Sequence, residues 1–94
     1  MSNAIMSLET IFRTEDSSAY IDRVVGIIER SGVKYVVGPL DTTMEGDLAQ
    51  LLDIVKQVNI ELGTIGAGVS ISSQIKIHYD PKGISIAGLT ERYM

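Results

Sequence analysis

The order of its predicted elements places this chain in the α+β class, as a ferredoxin-like β-α-β-β-α-β sandwich. Three observations support that prediction. The first and last strands alternate apolar and polar residues, two segments carry apolar residues at helical spacing, and an interrupted apolar run lies between the helices. Right-handed crossovers would place both helices on one face of an antiparallel sheet and leave the other face open.

The first strand and first helix are marked by a change in apolar period. Residues 6–12 alternate as a half-buried strand does, and residues 14–18 form a polar break with several candidate helix caps. An apolar stripe at helical spacing then runs through residues 21–28. Gly32 ends this helix, because glycine reaches the left-handed conformation without a Cβ penalty.

A second apolar run, over residues 34–47, contains Gly38 and Pro39 in its middle. Proline donates no ladder hydrogen bond, so this run is not one plain central strand. Two short strands that meet at a turn, and one long strand broken by a bulge, both fit the pattern. Asp47 is the predicted N-cap of the next helix, with Gln50 at the capping-box position.

The second half of the chain predicts a helix, a loop, a strand and a tail. The helix has a strong apolar stripe, with Ile54 and Ile60 lying off it: Leu48, Leu51, Leu52, Val55, Val58 and Leu62. Small residues at 63–68 predict a loop, and residues 69–79 form the clearest alternating strand. A turn follows at residues 80–83, and the remainder is a short strand or a short helix.

Residues 1–94 are therefore one domain with a C-terminal tail at 80–94. Ser2-Asn3-Ala4 resembles an expression-tag scar, which would make residues 1–3 non-native. The exposed sheet face is predicted to be semi-polar, carrying Ser7, Glu9, Ser70, Ser72, Gln74, Lys76 and His78. Because 45% of the residues are hydrophobic in so short a chain, we expect that face to dock a second copy.

Composition excludes several classes of function. The net charge of −4, without runs of like charge, argues against binding to nucleic acid or to an anionic membrane surface. The chain has no cysteine, which excludes disulfides and thiolate metal sites and fits a cytoplasmic location. His78 is the only histidine, so no imidazole pair can hold a metal. No catalytic constellation is identifiable, and neither an enzyme nor a cofactor is predicted.

Two motifs have both a functional and a structural interpretation. The glycines at 63, 66 and 68 do not form a phosphate loop, because a helix precedes them and a strand follows. Glu45 lies where strand, turn and helix start converge. It is either an exposed strand-end residue or a hydrogen-bond acceptor for an amino-bearing ring, with Thr42, Thr43 and nearby serines as partners. Both interpretations remain open on the pattern alone.

Three segments resemble the thiamine-binding domain family typified by YkoF, and the resemblance spans the first strand to about Tyr79. They are Ser18-x-Tyr20-Ile21, Ser31-Gly32-x-Lys34-Tyr35 and Pro39-Leu40-x-Thr42-x-Met44-Glu45-Gly46-Asp47. The chain departs from the family pattern at Gly38, where threonine or serine is usual, and at Asp41, where glycine is usual.

The resemblance implies a ferredoxin-like domain that pairs sheets into homodimers and often assembles as a homotetramer. It also implies a non-catalytic cytoplasmic carrier or sensor that binds thiamine or its hydroxymethylpyrimidine moiety in thiamine salvage. By this likeness Glu45 pairs with the aminopyrimidine, Thr42 hydrogen-bonds the ligand or holds the strand, and Tyr35 walls the pocket. Further candidate ligand contacts are Thr43, Ser7 and Glu9. The alternative is an oligomeric protein-interaction module with no small ligand.

Overall fold

The computed structural model describes residues 2–12, 17–65 and 70–91. Its elements occur in the predicted order, and a short third helix follows them. They are β1 (Ala4–Phe12), α1 (Ser17–Ser31), β2 (Lys34–Val37), β3 (Thr42–Gly46), α2 (Leu48–Ile65), β4 (Ile71–Tyr79) and α3 (Ile86–Thr90). The strands form one antiparallel sheet in the order β2-β3-β1-β4. The ferredoxin-like prediction is confirmed.

The core lies between α1 and α2 and one face of the sheet. Met6 of β1 is paired with Met44 of β3, and both side chains are fully buried. Helix α2 adds a buried row at helical spacing: Leu51, Ile54, Val58 and Leu62. Each fully buried aliphatic or methionine side chain contributes about 1.5–3 kcal/mol of hydrophobic free energy. The core is therefore aliphatic, as the composition requires.

The stripe predicted for α2 is rotated relative to the observed one. Ile54, placed off the stripe, is only 2% exposed, whereas Leu52, placed on it, is 47% exposed. Apolar residues surround so much of this helix that its period alone does not identify the face that packs on the sheet. The observed face follows from packing against β1 and β3.

The interrupted run is a hairpin of two short strands, not one bulged strand. The Gly38 N–H donates to the Asp41 carbonyl at 2.7 Å and closes the turn between β2 and β3. A Cβ at Gly38 would lie 3.1 Å from the same oxygen, so the tight turn favours glycine there. Pro39 and Leu40 occupy the exposed tip, where a missing N–H is harmless.

The start of α2 is held differently from the predicted capping box. The Asn3 side chain accepts from the Leu48 N–H at 2.9 Å, and the Asp47 carbonyl accepts from Leu51 N–H at 2.9 Å. Gln50 instead donates its side-chain amide to the Ser31 carbonyl at 3.3 Å. Asp47 thus stands at the predicted helix start, while Asn3, from the tag-like segment, supplies the side-chain acceptor.

Other boundaries differ by a few residues. Helix α2 continues through Ile65, so residues 63–65 of the predicted loop are helical. The rest of that loop, together with Val69 and the candidate caps at 14–16, lies outside the described residues. Of the two alternatives predicted for the tail, the structure has the short helix, α3. None of the described helices combines the length and apolar character needed to cross a membrane.

Gly32 tests the helix-ending argument. It has φ +82°, in the left-handed region. We expect Gly32→Ala to lower the free energy of unfolding by about 1–2 kcal/mol, because a Cβ is disfavoured there. Gly63→Ala is the matched control, since that glycine is helical and a Cβ would meet nothing within 4 Å. The control should be neutral or stabilising by up to about 1 kcal/mol. Equal losses in urea denaturation would contradict the argument.

Candidate functional site

Glu45 lies on the sheet face opposite α1 and α2, called here the open face. Its Cα partners are Ile5 on β1 and Lys34 on β2. Residues that pair directly across antiparallel strands point to the same side of the sheet. Met44 points into the core, so its neighbour Glu45 must point away from it. The Glu45 side chain is half-buried.

The register brings three of the predicted contacts together. Ser7 pairs directly with Thr43, one step along the same face from Ile5 and Glu45. Both hydroxyl residues are half-buried. Glu9 shares the open face but pairs with Gln74 on β4, beyond the end of the β1–β3 pairing. Glu45, Thr43 and Ser7 therefore form one polar group, and Glu9 lies at its margin.

Thr42 and Tyr35 lie on the other face. Thr42 pairs with Leu8 and is 8% exposed, while Tyr35 pairs with Met44 and packs against the core. Their side chains are thus separated from the Glu45 carboxylate by the sheet. Thr42 and Glu9 instead border a cavity of about 140 Å³ between α1 and the β2–β3 turn.

The Glu45 carboxylate contacts α3. Its Oε1 accepts a hydrogen bond from the Ile86 backbone N–H at 2.8 Å. That N–H is at the first position of the helix, where no intrahelical acceptor exists. Ser85 is the N-cap, and its Oγ accepts from the Gly88 N–H at 2.9 Å. The start of α3 is therefore held by two side-chain oxygens, one from the sheet and one of its own.

Two grooves, of about 690 and 660 Å³, meet at this point. Both are lined by Val33, Lys34, Glu45 and Ser85. The first continues towards Asp47 and Gln50, and the second along Val36, Ile86 and Ala87, with Tyr35 at its border. Ligand pockets for small organic molecules typically measure about 300–1,000 Å³, a range that these grooves reach and the smaller cavity does not.

Lys34, Ser85 and the Ile86 N–H were not predicted as site groups. The position of Lys34 opposite Glu45 could have been predicted from the sequence. A four-residue turn at 38–41 pairs residue 37 with residue 42, and counting back places Lys34 opposite Glu45. The α3 contacts gave no such signal, because Ile86 is 41 positions from Glu45 and no periodic pattern connects them.

The arrangement suits recognition by hydrogen bonds. It combines a carboxylate, two hydroxyl groups and an ammonium group, which supply both acceptors and donors. Within the part of the chain that the structure describes, no three histidine or carboxylate side chains are grouped so that they could hold a metal ion.

The relationship of the chain to known proteins is shown by one family that matches almost its whole length. The model of the family described as thiamine-binding protein matches residues 5–93. The chain belongs to this thiamine-binding protein family. The resemblance found in its motifs is thereby confirmed at the level of the family, and the match includes every residue of the Glu45 group.

Individual relatives cover nearly the whole chain. A UPF0045 protein of Clostridium perfringens is 39% identical over 95 residues, with 99% of each chain covered. The Thermotoga maritima protein TM0486, to which a role in thiamine biosynthesis or salvage has been ascribed, superposes with a TM-score of 0.86 at 30% identity, covering 98% of this chain and 99% of its own. A DUF77 domain of unknown function from Bacillus cereus gives 0.82 at 34% identity, covering 100% and 93%.

The cap of α3 can be tested separately from any ligand. We expect Ser85→Ala to raise amide hydrogen exchange across Ile86–Thr90, because losing an N-cap acceptor costs a helix about 0.5–2 kcal/mol. Global unfolding should be unchanged, since α3 has no buried residue. Ser72→Ala, at an exposed serine of β4, is the control and should leave α3 exchange unaltered. Unchanged exchange in Ser85→Ala would contradict the capping role.

Proposed function

We propose that this domain binds thiamine, or its hydroxymethylpyrimidine moiety, at the Glu45 groove as a non-catalytic cytoplasmic carrier or sensor in thiamine salvage. The observation that carries the proposal is the Glu45 carboxylate, which lines both grooves and accepts a planar backbone N–H at 2.8 Å. The amino group of an aminopyrimidine is a donor of the same planar kind. Family membership and the role ascribed to TM0486 support the ligand class.

The neighbours of Glu45 favour the pyrimidine end of the ligand at this position. An aminopyrimidine carries ring acceptors beside its amino donor. The hydroxyl groups of Ser7 and Thr43 lie on the same face, outside the lining of both grooves, and are the candidates to complete its hydrogen bonding. Lys34 lies directly opposite Glu45 and reduces the local negative potential. That placement favours a neutral pyrimidine over the cationic thiazolium, which would extend outward along a groove.

The expected affinity is modest. A hydrogen bond to a charged group contributes about 1.5–3 kcal/mol net. Two or three such bonds together with ring burial correspond to about −8 kcal/mol, or micromolar binding. Binding of this strength suits reversible carriage or sensing and requires no reacting group.

The ligand site is tested by Glu45→Gln. We expect thiamine and hydroxymethylpyrimidine to bind this variant about tenfold more weakly, because the charge-assisted acceptor is lost. Isothermal titration calorimetry measures the change, and thermal unfolding confirms that the variant folds. Glu29→Gln, which removes an exposed carboxylate of α1 away from both grooves, should bind as wild type does. Equal affinities for Glu45→Gln and wild type would exclude this site.

A second surface supports assembly into homo-oligomers. Strand β4 is a nine-residue edge strand, and its apolar residues Ile75, Ile77 and Tyr79 are 39%, 43% and 50% exposed. Long, flat, apolar edges are usually covered in native proteins. We propose that β4 pairs antiparallel with β4 of a second copy, since a two-fold axis brings the same patch together on both subunits.

The assembly is tested by adding one charge to either face of β4. Ile77→Glu places it in the exposed apolar row, and we expect the dimer to dissociate at micromolar concentration. Ser72→Glu adds the same charge on the open face of the strand, opposite the uncharged Ile11, and this control should stay dimeric. Sedimentation equilibrium gives the mass of each. Dissociation of both variants, or of neither, would contradict pairing through this row.

The same apolar row favours a second candidate function, an oligomeric protein-interaction module without a small ligand. The two functions differ in a thermal-shift experiment. A ligand that binds only the native state raises the melting temperature, whereas a pure interaction module shows no response to thiamine or hydroxymethylpyrimidine. A thiamine-dependent rise would reject the second candidate.

A further inference from the structure

One apolar side chain shows that the open face is partly covered. Among the described residues, Ile5 is the one buried apolar residue outside the core cluster between the sheet and the two long helices. It is 8% exposed, although its pairing with Glu45 and His78 places it on the open face. Something other than α1 or α2 must therefore shield it from solvent.

The segment after β4 returns to this face of the sheet, where its Ile86 N–H bonds Glu45, the residue that pairs with Ile5. The turn at Gly83, whose φ is +110°, reverses the chain. The Ile84 N–H then donates to the Ser2 carbonyl at 3.0 Å, so the chain returns past the start of β1. One groove is lined by both His78 of β4 and Leu89 of α3, and another by both Val36 of β2 and Ala87 of α3. Residues 84–90 form a strap across the open face.

The strap is weakly held. Helix α3 has five residues, none of them buried, and isolated helices this short are unstable in water. Among the described residues, the bond from the Ile86 N–H to Glu45 Oε1 is the hydrogen bond that joins α3 to the sheet.

We propose that the strap and the ligand compete for the Glu45 carboxylate. This inference rests on the proposed function, in which Glu45 receives an amino N–H of the pyrimidine. The Ile86 N–H occupies one carboxylate oxygen, and Ser85, Ile86 and Ala87 line the groove beside it, so the docked strap holds a donor where the amino group of the ligand would bind. Ligand binding therefore releases α3 from the open face, and the docked strap lowers the apparent affinity by reducing the fraction of competent molecules.

A single substitution removes the competing donor. Ile86→Pro deletes the N–H, and proline is tolerated at the first position of a helix. The preceding Ser85 has φ −142° and ψ 153°, the extended conformation that a residue before proline prefers. Ile86→Ala is the matched control, because it shortens the same side chain and keeps the N–H.

Calorimetry measures the affinity of both variants for thiamine and for hydroxymethylpyrimidine. In the wild type, amide hydrogen exchange of residues 84–91 is measured with and without a saturating concentration of each compound. We expect Ile86→Pro to bind at least about threefold more tightly than Ile86→Ala, because removing the competing donor raises the fraction of molecules whose carboxylate is free. We expect exchange in the strap to rise on binding. The exchange measurement decides the question alone if the proline variant does not fold.

Equal or weaker binding by Ile86→Pro, or strap exchange that stays constant or falls on binding, overturns the competition while leaving Glu45 as the ligand site. A fall in exchange would mean that the strap clamps the ligand. Absence of binding by wild type and both variants overturns the proposed function, and the competition with it.

Discussion

The pairing of β1 with β3 decides which side chains reach the core and which reach the groove. Met6 pairs with Met44, and the next pair is Ile5 with Glu45. A slip of one residue would exchange the two faces, placing the Glu45 carboxylate in an apolar core and Met44 on the open face. Burying an unpaired charge costs far more than the burial of methionine contributes. The adjacent Met44 and Glu45 therefore fix the register, and with it the position of the candidate site.

The strands could be predicted from the sequence because their period carries the information. Alternation on β1 and β4 correctly assigned six polar residues to the open face: Ser7, Glu9, Ser72, Gln74, Lys76 and His78. The same rule separates Thr42 from Thr43, which are consecutive in β3 and so point to opposite faces. Treating both as ligand contacts ignored that rule. The sequence was sufficient to exclude Thr42 from a site built around Glu45.

The orientation of α2 and the position of α3 could not be obtained in that way. Helix α2 has apolar residues on more than one side, and Leu52 and Ile60 remain exposed while Ile54 is buried. Only the three-dimensional fit to the sheet selects among those faces. Helix α3 is too short for a period, and its contact with Glu45 joins one backbone N–H to one carboxylate across 41 positions. Such a contact is a product of the completed fold.

A ligand site on the open face and an oligomer contact at the β4 edge can exist together in this domain. The sequence predicted the open face as the docking surface, but docking another sheet there would bury the strap and the groove beside Glu45. Pairing through the β4 edge instead extends the sheet in its own plane and leaves the open face accessible. It also brings the apolar row of each copy next to that of its partner, on the face opposite Glu45. The proposed assembly through β4 would therefore bring the exposed apolar rows into contact without closing the route to the carboxylate.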